Sequence, residues 1–291
     1  MTFELLAADS MGVRSLATWV PDAPGGGLLI DPGAALGPTR YGLPPHPQEE
    51  KALAAAALRI AETAGLAGRI VITHFHHDHF VPFDKEQWIV SGAEFAEPLY
   101  RNKIVYIRDL SGPLNPRQRG RARRLVADLE LRGIEIRPMD ARSEGDLLFS
   151  PPFQHGDDRS PGGWVVMVAV LSGTDCLVHL SDTQLLNDGA IDWTLERRPN
   201  VVITAGPPLY LPQLHPQQVE TAKRNLRRLV ERVPHVIVDH HLRRGGTIED
   251  FLAEATELTR QGGYRLESAA VSCGRTDALL ESRRRDLWEA R

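Results

Sequence analysis

Apolar positions along this chain fall into short runs separated by turn residues. Residues 3–8, 15–20 and 27–30 predict three strands, with the Pro/Gly-rich stretch 21–27 as a connector. Prolines at 44–47 break the chain. Residues 49–64 are then Ala-rich with a helical period, which predicts a helix burying a small face. A glycine-flanked turn, 65–68, leads into the apolar strand 69–72. Further strands are predicted at 103–107, 146–149, 200–204, 235–238 and 264–271. Residues 163–171 and 174–180 form a strand pair about Ser172-Gly173. Helices are predicted from Asn115-Pro116 to about 132, a cap residue followed by proline in the first turn, and at 216–232, 247–261 and 278–291. Strands come first, then helices, then a second run of strands with helices. No repeat or low-complexity linker divides them, so we expect one α/β sandwich domain over residues 1–291.

Composition narrows the class. With 42% hydrophobic and 25% charged residues the chain is of ordinary globular type. A net charge of −4 and a pI near 6.3 argue against general binding to nucleic acid or membrane surfaces. The two cysteines, Cys176 and Cys273, have no C-x-x-C spacing, which excludes a zinc ribbon and makes a disulfide framework unexpected. Neither a signal-peptide pattern nor a membrane-length apolar stretch is visible, so the expected compartment is the cytoplasm.

The chemistry concentrates where strand 69–72 ends, in Thr73-His74-Phe75-His76-His77-Asp78-His79. Alternation along an extended backbone puts His74 and His76 on one side, and a turn brings Asp78 and His79 to a neighbouring point. Two ligand pairs at one strand end suit two adjacent metal ions better than one closed structural site. Other strands also end in ligand-type residues: Asp182 follows 174–180, and Asp239-His240-His241 follow 235–238. His155 lies in a loop. Asp31, before Pro32, suits either an orienter of a metal-bound imidazole or a turn former. Asp9-Ser10 and Arg14-Ser15 are weaker candidates for reaching the same place. His46, His215 and His235 flank prolines and suit structural roles, and His179 suits the core.

The H-x-H-x-D-H motif at His74–His79 resembles that of the metallo-β-lactamase superfamily, and the later ligand-type residues follow in the order the superfamily uses. The resemblance implies a metallo-β-lactamase-like αββα four-layer sandwich. It implies that His74, His76 and His155 hold one metal, that Asp78, His79 and His240 (alternatively His241) hold a second, and that Asp182 bridges them. His77 points away. Two Zn²⁺ ions, or Mn²⁺ or Fe²⁺ in their place, would activate a bridging hydroxide, with catalysis depending on Asp78 and Asp182. Within the superfamily, residues 29–42, Ser181-Asp182, Gly206-Pro207-Pro208 and Asp239-His240-His241-Leu242 resemble a branch of metal-dependent hydrolases with no known substrate. Phe80-Val81-Pro82 departs from the Gly-rich continuation common there, which leaves the pocket shape open. The 206–210 loop is a candidate wall of the site mouth.

The expected function is a dinuclear metal-dependent hydrolase. The lean towards a phosphoester or phosphodiester comes from Arg117, Arg119, Arg121, Arg123 and Arg124 at the start of the helix opened by Asn115. As an anion-attracting patch these would favour a phosphate-bearing substrate or RNA. The weightier reading is a solvated helix face partly balanced by Asp128 and Glu130. A carboxylic ester, thioester or lactone remains an alternative substrate. A non-catalytic metal or RNA-binding module is the alternative of another class. Asp239-His240-His241 also resembles the signature of DHH-type phosphoesterases, whose upstream Asp-rich motifs this chain lacks. The pattern assigns no substrate-binding residue and no oligomeric state.

Overall fold

The computed structural model describes residues 1–157, 162–245 and 247–290. A first sheet holds six strands in chain order: β1 (Glu4–Ala8), β2 (Leu16–Val20), β3 (Leu28–Ile30), β4 (Arg69–Ile72), β5 (Ile104–Ile107) and β6 (Glu135–Pro138). From β3 to β6 they run parallel. Next come β7 (Ser143–Glu144), β8 (Leu147–Phe149) and a separate ribbon of β9 (Phe153–Gln154) with β10 (Trp164–Val165). After these come β11 (Val168–Ser172), β12 (Asp175–His179), β13 (Val201–Thr204), β14 (His235–Val238) and β15 (Arg265–Glu267). The second sheet has the order β15-β14-β13-β12-β11-β8-β7 and is parallel from β12 to β15.

Side-chain alternation sorts each central strand between two cores. In β4, Val71 faces the second sheet, where it joins Leu28 and Ile30 with Leu177, Ile203 and Ile237 in the shared core. Ile70 and Ile72 face outward and pack with Ala56 and Ile60 of α1 (Pro47–Ala64), Leu99 of α2 (Ala93–Tyr100) and Leu125 of α3 (Pro116–Leu131). Across the molecule, Val202, Val236 and Val238 pack under α4 (Asp188–Glu196), α5 (Pro216–Val230) and α6 (Ile248–Gly262). Burial on both faces explains the three consecutive apolar residues in each of β4, β13 and β14. The layers are helix, sheet, sheet, helix: the αββα sandwich the sequence leads one to expect.

Caps fix where the long helices begin. His46 and His215 accept backbone N–H bonds at the starts of α1 and α5, each in a reciprocal box with Glu49 or Gln218. Asn115 caps α3. The structure also departs from the expected pattern. The segment 264–271 is strand only over β15, because Ser268 accepts a bond from Val271 N and starts α7 (Ala269–Ser272). The terminal helix is confined to α8 (Arg284–Glu289), and residue 291 lies outside the described residues. Five elements had no clear signal: α2, which has no side-chain cap and contains Pro98, the half-exposed edge strand β6, the two-residue strands β7 and β9, and the short α4. Among the described residues no helix is long and apolar enough to cross a membrane.

The C-terminal segment is tied to the rest through charges. Arg284 donates to both oxygens of Glu49 at 2.7 and 2.8 Å, with both side chains fully buried. Glu281 receives Arg14 at 2.6 and 2.7 Å. Removing one member of a buried pair strands the other, so Arg284→Ala should cost ~3–5 kcal/mol in urea unfolding. A loss under ~1 kcal/mol would show that Glu49 finds water or another partner.

Candidate metal centre

Parallel strands present their C-terminal ends on one side, the usual place for a ligand site in α/β sheets. The ends of β4, β12 and β14 supply Thr73–His79, Ser181-Asp182 and Asp239–His241, and the turn after β9 supplies His155. The chain reverses sharply to deliver them. Asp31, Ser181 and His240 follow β3, β12 and β14 with φ of 50°, 48° and 49°, in the left-handed region. Close approach adds a further demand at Gly33, where a Cβ would lie 2.3 Å from Phe80 N and 2.6 Å from His79 N. Phe80, in the position of the expected Gly-rich continuation, is buried and packs edge-on against Phe75.

These turns bring the sequence candidates together. His74 Nε2 lies 3.0 Å from His76 Nδ1 and 3.6 Å from Asp182 Oδ2, while His155 Nε2 lies 2.9 Å from the same oxygen. The donor atoms of His74, His76, His155 and Asp182 all fall within 4.8 Å of one another. So do those of Asp78, His79 and His240, and those of Asp182, His240 and His241. His79 Nε2 is 3.3 Å from Asp182 Oδ2, and His240 Nε2 is 3.5 Å from both Asp78 Oδ2 and Asp182 Oδ2. His241 Nε2 reaches Asp182 Oδ2 at 3.1 Å. His77 instead faces Glu86 at 3.1 Å, and His179 is buried with Nε2 3.2 Å from Leu16 O.

Outer groups fix the rings. Asp31 Oδ2 accepts from His79 Nδ1 at 2.8 Å, and Asp31 also accepts the Thr73 N–H and hydroxyl. Asp9 Oδ2 accepts from His240 Nδ1 at 2.7 Å. Each carboxylate fixes the Nδ1–H position and turns Nε2 towards the centre. Asp239 ligates nothing here: its carboxylate accepts the backbone N–H groups of Ser10, His240 and Ala269. Sequence reasoning missed Arg244, whose buried guanidinium donates to Asp9 at 2.9 Å and lies 3.4 Å from Asp78 Oδ2. It also missed the individual role of Tyr210, whose hydroxyl sits 3.3 Å from His241 Nδ1 and 3.4 Å from Arg244 Nη1. Arg244 closes the turn that begins at His240, and Tyr210 follows β13 in the candidate wall loop; neither is a ligand-type residue.

The donors fit divalent cations. Among the described residues, Asp182 Oδ1 and His79 Nε2 are buried with no hydrogen-bond partner. His79 Nε2 is within ion-pair distance of Asp182 Oδ2 but not aligned for a bond. Unpartnered buried polar atoms are rare and need a reason, and a cation between them supplies one. The donor set is nitrogen and oxygen without thiolate, which suits zinc, manganese or iron.

Comparison with known proteins places the chain. No family model matches it. It is 38% identical over 287 residues to a UPF0282 protein of Pyrococcus abyssi, with 97% of this chain and 91% of that protein covered. A UPF0282 protein of Methanopyrus kandleri is 35% identical over 289 residues, with 97% of each chain covered. The chain belongs to the UPF0282 family. Among solved structures, the UPF0282 chain aligns with a CmlA β-hydroxylase E377D mutant at a TM-score of 0.49 and 12% identity, covering 88% of this chain and 51% of that one. It aligns with Tm1679, a metal-dependent hydrolase of the β-lactamase superfamily, at 0.47 and 11% identity, covering 91% and 94%. The fold of this UPF0282 chain stands on its own layers: an αββα sandwich with a His/Asp cluster suited to divalent metal at its strand ends.

Without metal, the histidines divide by sign. Burial and neighbouring imidazoles hold His74 well below its ordinary 6.5, and the same causes take His76 to about 3. Burial opposes protonation of His79 and His240 too, but Asp182 with Asp31 or Asp9 raises both. The lowered group is neutral when folded and protonated when unfolded, so its contribution is lost as pH falls from about 6.5 towards 3. The raised pair contributes fully below its unfolded value and loses that contribution as pH rises through the folded value. Chelator-treated protein should therefore be most stable near ~pH 6.5, falling on either side by up to ~1.4 kcal/mol per pH unit for each such group. Urea midpoints measured across that range test this, and a flat profile would contradict the assigned charge states.

Proposed function

We propose that this chain, as one domain over residues 1–291, is a dinuclear metal-dependent hydrolase acting on a phosphoester or phosphodiester. In this reading His74, His76 and His155 hold one ion, Asp78, His79 and His240 hold the other, and Asp182 bridges. The observation that carries it is the approach of ring nitrogens from three separate segments to Asp182 Oδ2, while Oδ1 of the same buried carboxylate lacks a partner. Zinc suits the donors best, with manganese or iron as replacements. When bound, the pair would supply Lewis acidity and an activated water near neutral pH.

The chain's own residues account for the rest. Asp31 and Asp9 hold the tautomers of His79 and His240 and turn Nε2 of each towards the centre as a ligand atom, with Arg244 Nη2 3.0 Å from His240 Nε2. That support favours His240 over His241, whose Nδ1 has only the Tyr210 hydroxyl. His241 then stands between Asp182 and Tyr210 as a cavity wall. A cavity of ≈ 420 Å³ opens on the ligands and is also lined by Arg14, Arg121 and Arg244. Guanidinium forks match phosphoryl oxygens in geometry and charge, which supports the phosphoester half of the reading. Arg244, paired with Asp9 and beside Asp78, would help to offset negative charge on a phosphoryl group bound at the ligand cluster.

Elemental analysis of wild type and Asp182→Ala, with an aryl phosphodiester and an aryl carboxylic ester as substrates, tests this. The expected outcome is about two metals per wild-type chain and fewer in the variant, with diester turnover reduced on the order of 10³-fold or more. Preference for the carboxylic ester would overturn the substrate class alone. Absence of stoichiometric metal after zinc reloading would overturn the whole reading.

A further inference from the structure

The arginines at the start of α3 do not form one patch. Arg117, Arg123 and Arg124 are exposed, and Arg119 donates to the carbonyls of Leu110 and Gly112 at 2.8 and 3.3 Å. Arg121 is half-buried and turns into the cavity that contains His76, Asp78 and Asp182. Its Nη1 donates to Phe75 O at 3.3 Å, which ties the guanidinium to the backbone between His74 and His76. The two other arginines lining this cavity are already neutralised: Arg14 forks onto Glu281 and Arg244 onto Asp9. Among the described residues no carboxylate lies within ion-pair distance of Arg121. Glu86, on the same wall, is paired with His77. A guanidinium has five N–H donors, and among the described residues the acceptor Arg121 meets is the Phe75 carbonyl. Desolvation pulls the Arg121 pKa down, against the pull of Asp78 and Glu86.

We infer that Arg121 is a specificity residue that grips a second anionic oxyacid group of the substrate, a phosphate or carboxylate, held on the α3 wall apart from the bond that is cleaved. The inference rests on the hydrolase reading for what happens at the ligand cluster, but the anion grip itself is a binding property. It makes the preferred substrate a molecule with two acidic groups. The first lies at the ligand cluster beside Arg244, and the second meets the uncommitted fork of Arg121. The position explains why Arg121 turns to the cavity while Arg117, Arg123 and Arg124 remain solvated and Arg119 holds the carbonyls of Leu110 and Gly112.

Calorimetric titration of zinc-loaded protein with inorganic phosphate, and separately with malonate, measures the grip. Arg121→Ala should weaken one or both by about tenfold, Arg121→Lys by less, and the exposed neighbour Arg123→Ala should match wild type. The arm that responds identifies the anion as phosphate or carboxylate. Equal affinities in Arg121→Ala and wild type would overturn the inference even if zinc binds as proposed. Kinetics supply the second readout, using thymidine 5′-(p-nitrophenyl phosphate) with and without a 3′-phosphate. The extra phosphate should lower KM by about tenfold in wild type and leave it unchanged in Arg121→Ala, with kcat similar. If zinc binds but neither nucleotide is hydrolysed, the hydrolase reading fails on this substrate class while the titrations still decide the role of Arg121.

Discussion

Asp182 Oδ2 is a buried carboxylate oxygen with ring nitrogens of His74, His79, His155, His240 and His241 between 2.9 and 3.6 Å away. An uncompensated charge at that depth would cost several kcal/mol, so the surroundings must answer it with positive charge. They cannot do so by protonating every ring. His74 and His79 have centroids 4.1 Å apart, and those of His240 and His241 are 4.7 Å apart, so adjacent imidazolium charges would repel strongly. The structure settles the conflict unequally. The rings with a second carboxylate behind them, His79 with Asp31 and His240 with Asp9, take protons readily. Those backed by hydroxyls, His74 with Thr73 and Ser181 and His241 with Tyr210, stay neutral.

Holding so many like groups around one oxygen requires backbone that cannot relax away. Left-handed conformations at Asp31, Ser181 and His240 each cost on the order of 1 kcal/mol and persist only where the surroundings over-determine them. The surroundings do so here. Asp239 clasps backbone from the β1 end, its own turn and α7, and the apolar runs of β4, β13 and β14 fix the positions from which the turns depart. The sandwich core thus acts on the site through geometry: a strand end displaced by an ångström would separate a ring from Asp182.

Much of the architecture was legible because its signals are local. Runs such as Ile70-Val71-Ile72 mark strands buried on both faces, and Asn115-Pro116 marks a helix start. His74, His76, Asp78 and His79 lie within six positions, so one turn suffices to gather them. His155, Asp182 and His240 are joined to them only through the ligand order of the superfamily the motif resembles, since nothing local relates residues so far apart. Arg244 left no signal for the same reason, and Asp9 stood only as a weaker candidate. Arg244 reaches the centre because the turn His240–Arg244 folds it back beside its own neighbours, and Asp9 because β1 ends next to that turn. The basic helix shows the converse. Five arginines looked alike in sequence, and packing of Ala122 and Leu125 decided which one faced inward.

The outer groups also make the two halves of the cluster chemically different. Around Asp78, His79 and His240 stand the carboxylates of Asp9 and Asp31, and Arg244 offsets part of that charge. Around His74, His76 and His155 the outer partners are the hydroxyls of Thr73 and Ser181 and the amide of Gln184, all neutral. A carboxylate behind an imidazole makes it a stronger donor, and a hydroxyl or amide does so far less. In the proposed arrangement the Asp78 position is therefore the more electron-rich of the two, and the His155 position the stronger Lewis acid. The cavity opens on both positions, on His76 and His155 of one and Asp78 of the other with Asp182 between, and Arg244 and Arg121 also line it. A substrate in that cavity would reach both positions, and a scissile oxygen would be polarised more strongly at the His155 position.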